Sequence, residues 1–179
     1  LLRGRRTIPA EHVSGPLPFD PIAEATRHWC DRGWTNAAPG MAAVTSIMRA
    51  QQIVQARVDA QLKPLGVTFA RYEVLMLLTF SRAGQLPMKV IGDRLQVHPT
   101  SVTNAVDRLE ADGLVRRAPH PGDRRALIVA LTDSGRETAA TATERLNEHV
   151  FSDVGLSPTD LTALTDNVRH LRSAAGDFV

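Results

Sequence analysis

The stretch MKVIGDRLQVHPTSVTNAVDRLEADGLVRRAPHPGDRRALIVALT, Met88 to Thr132, decides the fold. Val90, Ile91 and Leu95 mark a short helix over 88–95, and a His98-Pro99 break follows it. Val102, Val106 and Leu109 mark a second helix over 100–112, closed by Gly113. Apolar residues at three- and four-residue steps place one stripe on one helix face. Two strand-like runs come next, 114–118 and 126–131, around a Pro-Gly turn. In the second run Leu127, Val129 and Leu131 alternate with Ile128 and Ala130, so one face is the bulkier. Helix, turn, helix, hairpin is the order of a winged helix-turn-helix. The fold class predicted is mainly α with a small β-hairpin wing, carrying helices on both flanks that the winged fold does not need.

Those flanking helices are legible in both directions. Upstream, Thr68 caps a helix over 69–82 with Tyr72, Leu75, Met76 and Leu78 apolar, and breakers occupy 83–87. Pro64 and Gly66 end a long helix over 41–63, in which Val44, Ile47, Val54, Val58 and Leu62 predict one buried stripe. Breakers at 36–40 precede it. Asp20-Pro21 pairs an N-cap with proline at the first helical position and opens a short helix through Arg32, anchored by Trp29 and Trp34. Downstream, Thr132 starts a helix through Phe151, and Ser157-Pro158-Thr159-Asp160 opens the last one with a capping box. There Leu161, Leu164, Val168 and Leu171 form a coiled-coil-like seam too short to stand alone. The organisation expected is a flexible basic arm (1–19), N-terminal helices (20–65), a winged domain (66–132) and C-terminal helices (133–179).

Composition narrows the function. With 43% hydrophobic and 22% charged residues, the 179-residue chain can bury a core. A net charge of only +2 means that an anionic partner must be met by a local patch. The lone Cys30 excludes an intramolecular disulfide and fits a reducing cytosol, so a cytoplasmic protein is expected. No run of eighteen apolar residues occurs, and no membrane span is expected. The N-terminus, basic at Arg3, Arg5 and Arg6, lacks the apolar core of a secretory signal. It begins with Leu in place of Met, which points to a truncated or misassigned start. His12, His28, His98, His120, His149 and His170 are scattered without metal-ligand spacing, and GxSxG, P-loop and GxGxxG patterns are missing. No catalytic residue, cofactor or metal is expected, and no enzyme.

DNA is the partner that the second helix and the hairpin suggest. Thr100, Ser101, Thr103, Asn104 and Arg108 lie off the apolar stripe and can donate and accept hydrogen bonds. Asn104 suits a bidentate pair with adenine in the major groove, and Arg108 suits phosphate or guanine. Singly, these residues are equally well read as caps and a solvated face. As a group followed by a basic hairpin they favour DNA. Arg116, Arg117, Arg124 and Arg125 stand at the feet of the turn against a single acid, Asp123, which shapes the turn. A wing beside a helix in the major groove reaches the backbone and the adjacent minor groove, where a narrow A-tract attracts arginine. His120 at the tip is a phosphate neighbour or a solvated turn residue.

Three stretches carry a family resemblance: GVTFARYEVLMLL (Gly66–Leu78), SVTNAVDRLEADGLVRR (Ser101–Arg117) and GDRRALIVALTDSG (Gly122–Gly135). They resemble the MarR family of multiple-antibiotic-resistance-type regulators, over roughly residues 40 to 175. The last includes the family's wing pattern, at Asp123, Arg125, Leu131, Thr132 and Gly135. The resemblance implies a homodimer held by interlocked terminal helices, with two winged domains on successive half-sites of a palindromic double-stranded operator. It implies that Arg125 is the minor-groove arginine and that Thr100 to Asn104 read bases. Many relatives carry a basic residue where this chain has Asn104. Small phenolic or otherwise anionic effectors are also implied, in a cleft for which Ile47, Gln51 and Tyr72 are candidate lining; ordinary core packing is the competing reading. Cysteine-based redox sensing occurs in the family, but RHWCDRGW around Cys30 does not match that pattern, and a plain buried cysteine is the expectation. The function expected is therefore a dimeric, ligand-relieved repressor. A winged-helix protein-interaction module without DNA binding is the rival.

Overall fold

The structure, a computed structural model, describes residues 16–178, except for the side chains of Asp123, Arg124 and Arg125. Most of the predicted basic arm, residues 1–15, thus lies outside the described residues. The elements are α1 (Pro21–Asp31), α2 (Ala38–Leu62), α3 (Phe69–Phe80), β1 (Gln85–Pro87), α4 (Met88–Leu95), α5 (Pro99–Ala111), β2 (Val115–His120), β3 (Asp123–Leu131), α6 (Asp133–Leu146) and α7 (Pro158–Ala174). Four of the helices start where a side chain takes an orphan backbone N–H. Asp20 accepts from Ile22, Thr68 from Arg71, Thr132 from Gly135 and Ser157 from Asp160. A 3-10 turn at Lys63–Leu65 and Gly66, with φ +68°, stop α2.

The chain divides into two compact units between Ile53 and Val54, inside α2. In the first, Trp29 and Trp34 make an edge-to-face pair with centroids 5.1 Å apart, so the tryptophans that open and follow the turn do hold each other. No residue of α1 is buried. Cys30 is exposed, which corrects the expectation of a buried thiol: it sits on the solvent side of α1.

The second unit holds the core. Val58 and Leu62 of α2 pack with Tyr72, Leu75 and Leu78 of α3, Ile91 of α4, and Val102, Val106 and Leu109 of α5. Val129 and Leu131 of β3 and Ala139, Ala142 and Leu146 of α6 complete it. The stripe predicted along α2 is buried only at this C-terminal end. Val44 is 60% exposed, and Ile47 and Val54 are exposed as well.

The sheet has the antiparallel order β1-β3-β2. Its first strand is a correction, because Gln85–Pro87 falls where the sequence shows only breakers. Three residues are too few for an alternation pattern, and pairing with Ile128–Ala130 alone makes them a strand. Pro87 is tolerated there because β1 is an edge. The hairpin is also longer than predicted, running to His120 and from Asp123, with an irregularity between Pro119 and His120.

At the foot of the hairpin Thr132 closes a small network. Its hydroxyl faces the carbonyls of Gly113 and Leu114 at 2.8 and 3.0 Å and accepts from Gly135 N at 3.0 Å. This seats the first turn of α6 directly on the backbone of Leu114.

Candidate nucleic-acid interface

Two sides of α5 differ sharply. Val102, Val106 and Leu109 are buried, while Thr100, Ser101, Thr103, Asn104, Asp107 and Arg108 are exposed. At 100° per residue, Thr100, Asn104 and Arg108 follow one line along the open side, with Ser101 and Thr103 flanking it. The structure thus brings the five sequence-predicted residues of this helix onto one face. Thr103 spends its proton on the Pro99 carbonyl at 3.0 Å and keeps lone pairs for an incoming donor. Among the described residues, Arg108 makes no ion pair. His98 caps the helix, its Nδ1 accepting Thr100 N–H at 3.3 Å.

The first arginine pair of the wing divides. Neighbours on a strand point to opposite sides. Arg116 is exposed, whereas the Arg117 side chain is only 21% exposed and turns onto α5. The Arg117 guanidinium pairs with Asp107 and with Glu110, the latter at 3.2 Å, and Arg117 N–H donates to Glu110 at 2.8 Å. Arg117, grouped by sequence with the wing contacts, therefore fastens β2 to α5. It also offsets the charge of two carboxylates beside the open face. Sequence reasoning assigned no role to Asp107 or Glu110, although their three-residue spacing was a usable signal. Asp123, Arg124 and Arg125 lie on the wing, but their side chains are outside the described residues. In the turn, Gly122 N–H donates to His120 Nδ1 at 3.1 Å.

A groove of about 440 Å³ runs between α4, α5 and the wing, lined among others by Lys89, Thr103, Arg117 and Leu127. The effector candidates separate: Ile47 and Gln51 are exposed on α2, while Tyr72 is a core residue whose hydroxyl is 3.1 Å from Thr143 Oγ1. Burial raises the neighbouring Glu73 carboxyl above the ordinary carboxylate range. Among the described residues no group of three or more His, Cys, Asp or Glu is placed to hold a metal, and no helix is long and apolar enough to cross a membrane.

Residues 65–126 match the MarR family. Sco5413, a MarR family transcriptional regulator from Streptomyces coelicolor, is 53% identical, with a TM-score of 0.71 over 78% of this chain and 97% of that one. This chain belongs to the MarR family. Sco3205 from the same organism, a MarR family regulator solved in complex with DNA, is 26% identical, with a TM-score of 0.65 over 74% of this chain and 84% of that one. The transcriptional repressor MdtR of Bacillus subtilis is 33% identical over 84 residues, which are 47% of this chain and 53% of MdtR. This chain thus spans about half the length of MdtR. As a MarR-family member it is one of a group of transcriptional regulators, not enzymes. Two positions of the family's wing pattern now have a physical account, since Thr132 and Gly135 weld the hairpin to α6.

Proposed function

We propose that this protein is a homodimeric repressor that binds a palindromic double-stranded DNA site, with α5 in the major groove and the wing over the backbone. One observation carries the reading: the polar face of α5 stands open while Arg117 neutralises the acids beside it. Asn104 and Arg108 read bases or phosphate from that face, with Arg116 adding charge from the wing. Arg125 enters the minor groove by its place in the family's wing pattern. Dimerisation is supported by the exposed apolar residues of α7 and α2. Sco3205, in complex with DNA, supports the partner, and the name of MdtR supports repression. Relief by a small phenolic or anionic effector is part of this reading, and of the residues named for it Ile47 and Gln51 are the exposed ones.

Selection from a random DNA pool tests the proposal. The expected product is an inverted repeat with half-site centres about one helical turn apart. Asn104→Ala should then weaken the selected site relative to random DNA by about 1–3 kcal/mol, the range for one bidentate base pair contact. Equal losses on both DNAs would remove Asn104 from base reading. Failure to enrich any sequence would reject the DNA function and favour a protein-interaction module.

A further inference from the structure

Two histidines stand on the elements that the proposed function brings to DNA, and both spend the same ring nitrogen on their own backbone. His98 Nδ1 accepts Thr100 N–H at the start of α5, and His120 Nδ1 accepts Gly122 N–H in the wing turn. A nitrogen that accepts an N–H carries no proton, so each neutral ring holds its proton on Nε2. That donor lies on the far edge of the ring from the backbone. His98 is exposed and His120 half-buried, and neither Nε2 has a partner among the described residues. His28 and His149, by contrast, face the carboxylates of Glu24 and Glu148 on helical surfaces.

We infer that His98 and His120 are DNA-backbone contacts, each donating Nε2–H to a phosphate oxygen in its neutral form. The inference rests on the proposed DNA function and deepens it. Phosphate is the fitting acceptor because His98 precedes the base-reading residues and His120 sits at the wing tip, where the backbone passes. The backbone bond to Nδ1 fixes the tautomer and the ring direction, so the donor is aimed before DNA arrives. A protonated ring would have to abandon its backbone N–H, since both nitrogens then donate.

Asparagine separates the two roles. Its Oδ1 occupies the place of Nδ1 and is a good acceptor at caps and turns, yet no atom reaches the position of Nε2. His98→Asn and His120→Asn in the full chain should therefore melt with the wild type. Each should bind the selected duplex on the order of tenfold more weakly, the loss of a hydrogen bond to a charged acceptor. The slope of log K against log salt should stay unchanged, because a neutral donor releases no counterion. His98→Gln and His120→Gln, which place an amide N–H near the Nε2 position, should recover part of the affinity at a lower melting temperature. Ring ¹⁵N spectra of the free protein should show the Nε2–H tautomer at both positions, a readout that survives even if a variant folds poorly.

Full affinity in both Asn variants, or an Nδ1–H tautomer, would overturn the inference and leave the rings as caps. A loss accompanied by a slope change of about one would overturn it too, by showing a cationic contact. Wild-type protein that binds no DNA would sink the proposed function along with it. Binding by wild type with no effect of the Asn variants would sink this inference alone.

Discussion

Gly135→Ala is expected to cost about 3 kcal/mol or more and to lower the melting temperature by roughly 10 °C, the scale of severe overpacking in a chain of this size. A Cβ at this position would stand 1.9 Å from the Leu114 carbonyl oxygen, 2.9 Å from its carbon and 3.1 Å from Leu131 Cδ2. Two of these atoms are backbone, and they are held by the Thr132 network. Neither α6 nor the base of the hairpin can yield without breaking it. The position needs glycine for space and not for an unusual φ, since Gly135 is absent from the left-handed residues. Gly66→Ala is the control. Gly66 has φ +68° and open space around its missing Cβ, so only the conformational cost of about 1 kcal/mol should appear. Equal melting shifts for the two variants would mean that α6 does not start against Leu114.

The second large effect concerns assembly. Leu164 and Leu171 of α7 are 48% and 56% exposed, and no residue of that helix is buried. Leu161 and Val168 share the seam and are half-buried. In the first unit Val44, Ile47 and Met48 are exposed on α2, Met48 at 62%. Exposed apolar side chains that cluster on one helix are what a partner surface would cover. In the proposed dimer these residues become core, and a carboxylate placed among them costs several kcal/mol. A two-fold interface repeats each change in both protomers. The wild type should therefore scatter as twice 19.5 kDa, and the Leu164→Asp, Leu171→Asp double variant as a 19.5 kDa monomer. Affinity for the palindrome should fall by at least about 100-fold in that variant, as each half-site loses the effective concentration supplied by its partner. A monomeric wild type, or a double variant that still dimerises, would contradict the dimer.

Much of the fold was legible because its signals are local. Asp20, Thr68 and Ser157 each act as the cap their sequence position suggests, and Thr132, read as the start of its helix, is the cap just before it. What sequence did not reveal depends on contacts between distant residues. Gln85–Pro87 becomes a strand only through β3. Strand alternation says that Arg116 and Arg117 point apart, but only Asp107 and Glu110 across on α5 decide which one turns inward. Periodicity along α2 showed an apolar stripe without showing that its N-terminal part stays uncovered in one chain. In the candidate interface, the open face of α5 was readable from Val102, Val106 and Leu109 alone, since burying that stripe exposes the rest. The backbone roles of His98 and His120 were not, because a cap formed by imidazole has no spacing signature.

The central claim, DNA binding by a charged interface present twice per dimer, is tested most directly by titrating the intact protein against its selected duplex over a range of salt concentrations. Two chains should bind per duplex, and log K should fall linearly with log salt. Each phosphate neutralised adds about −0.9, so two to four arginines per protomer give a slope between roughly −4 and −7. One chain per duplex, or an affinity indifferent to salt, would contradict the account.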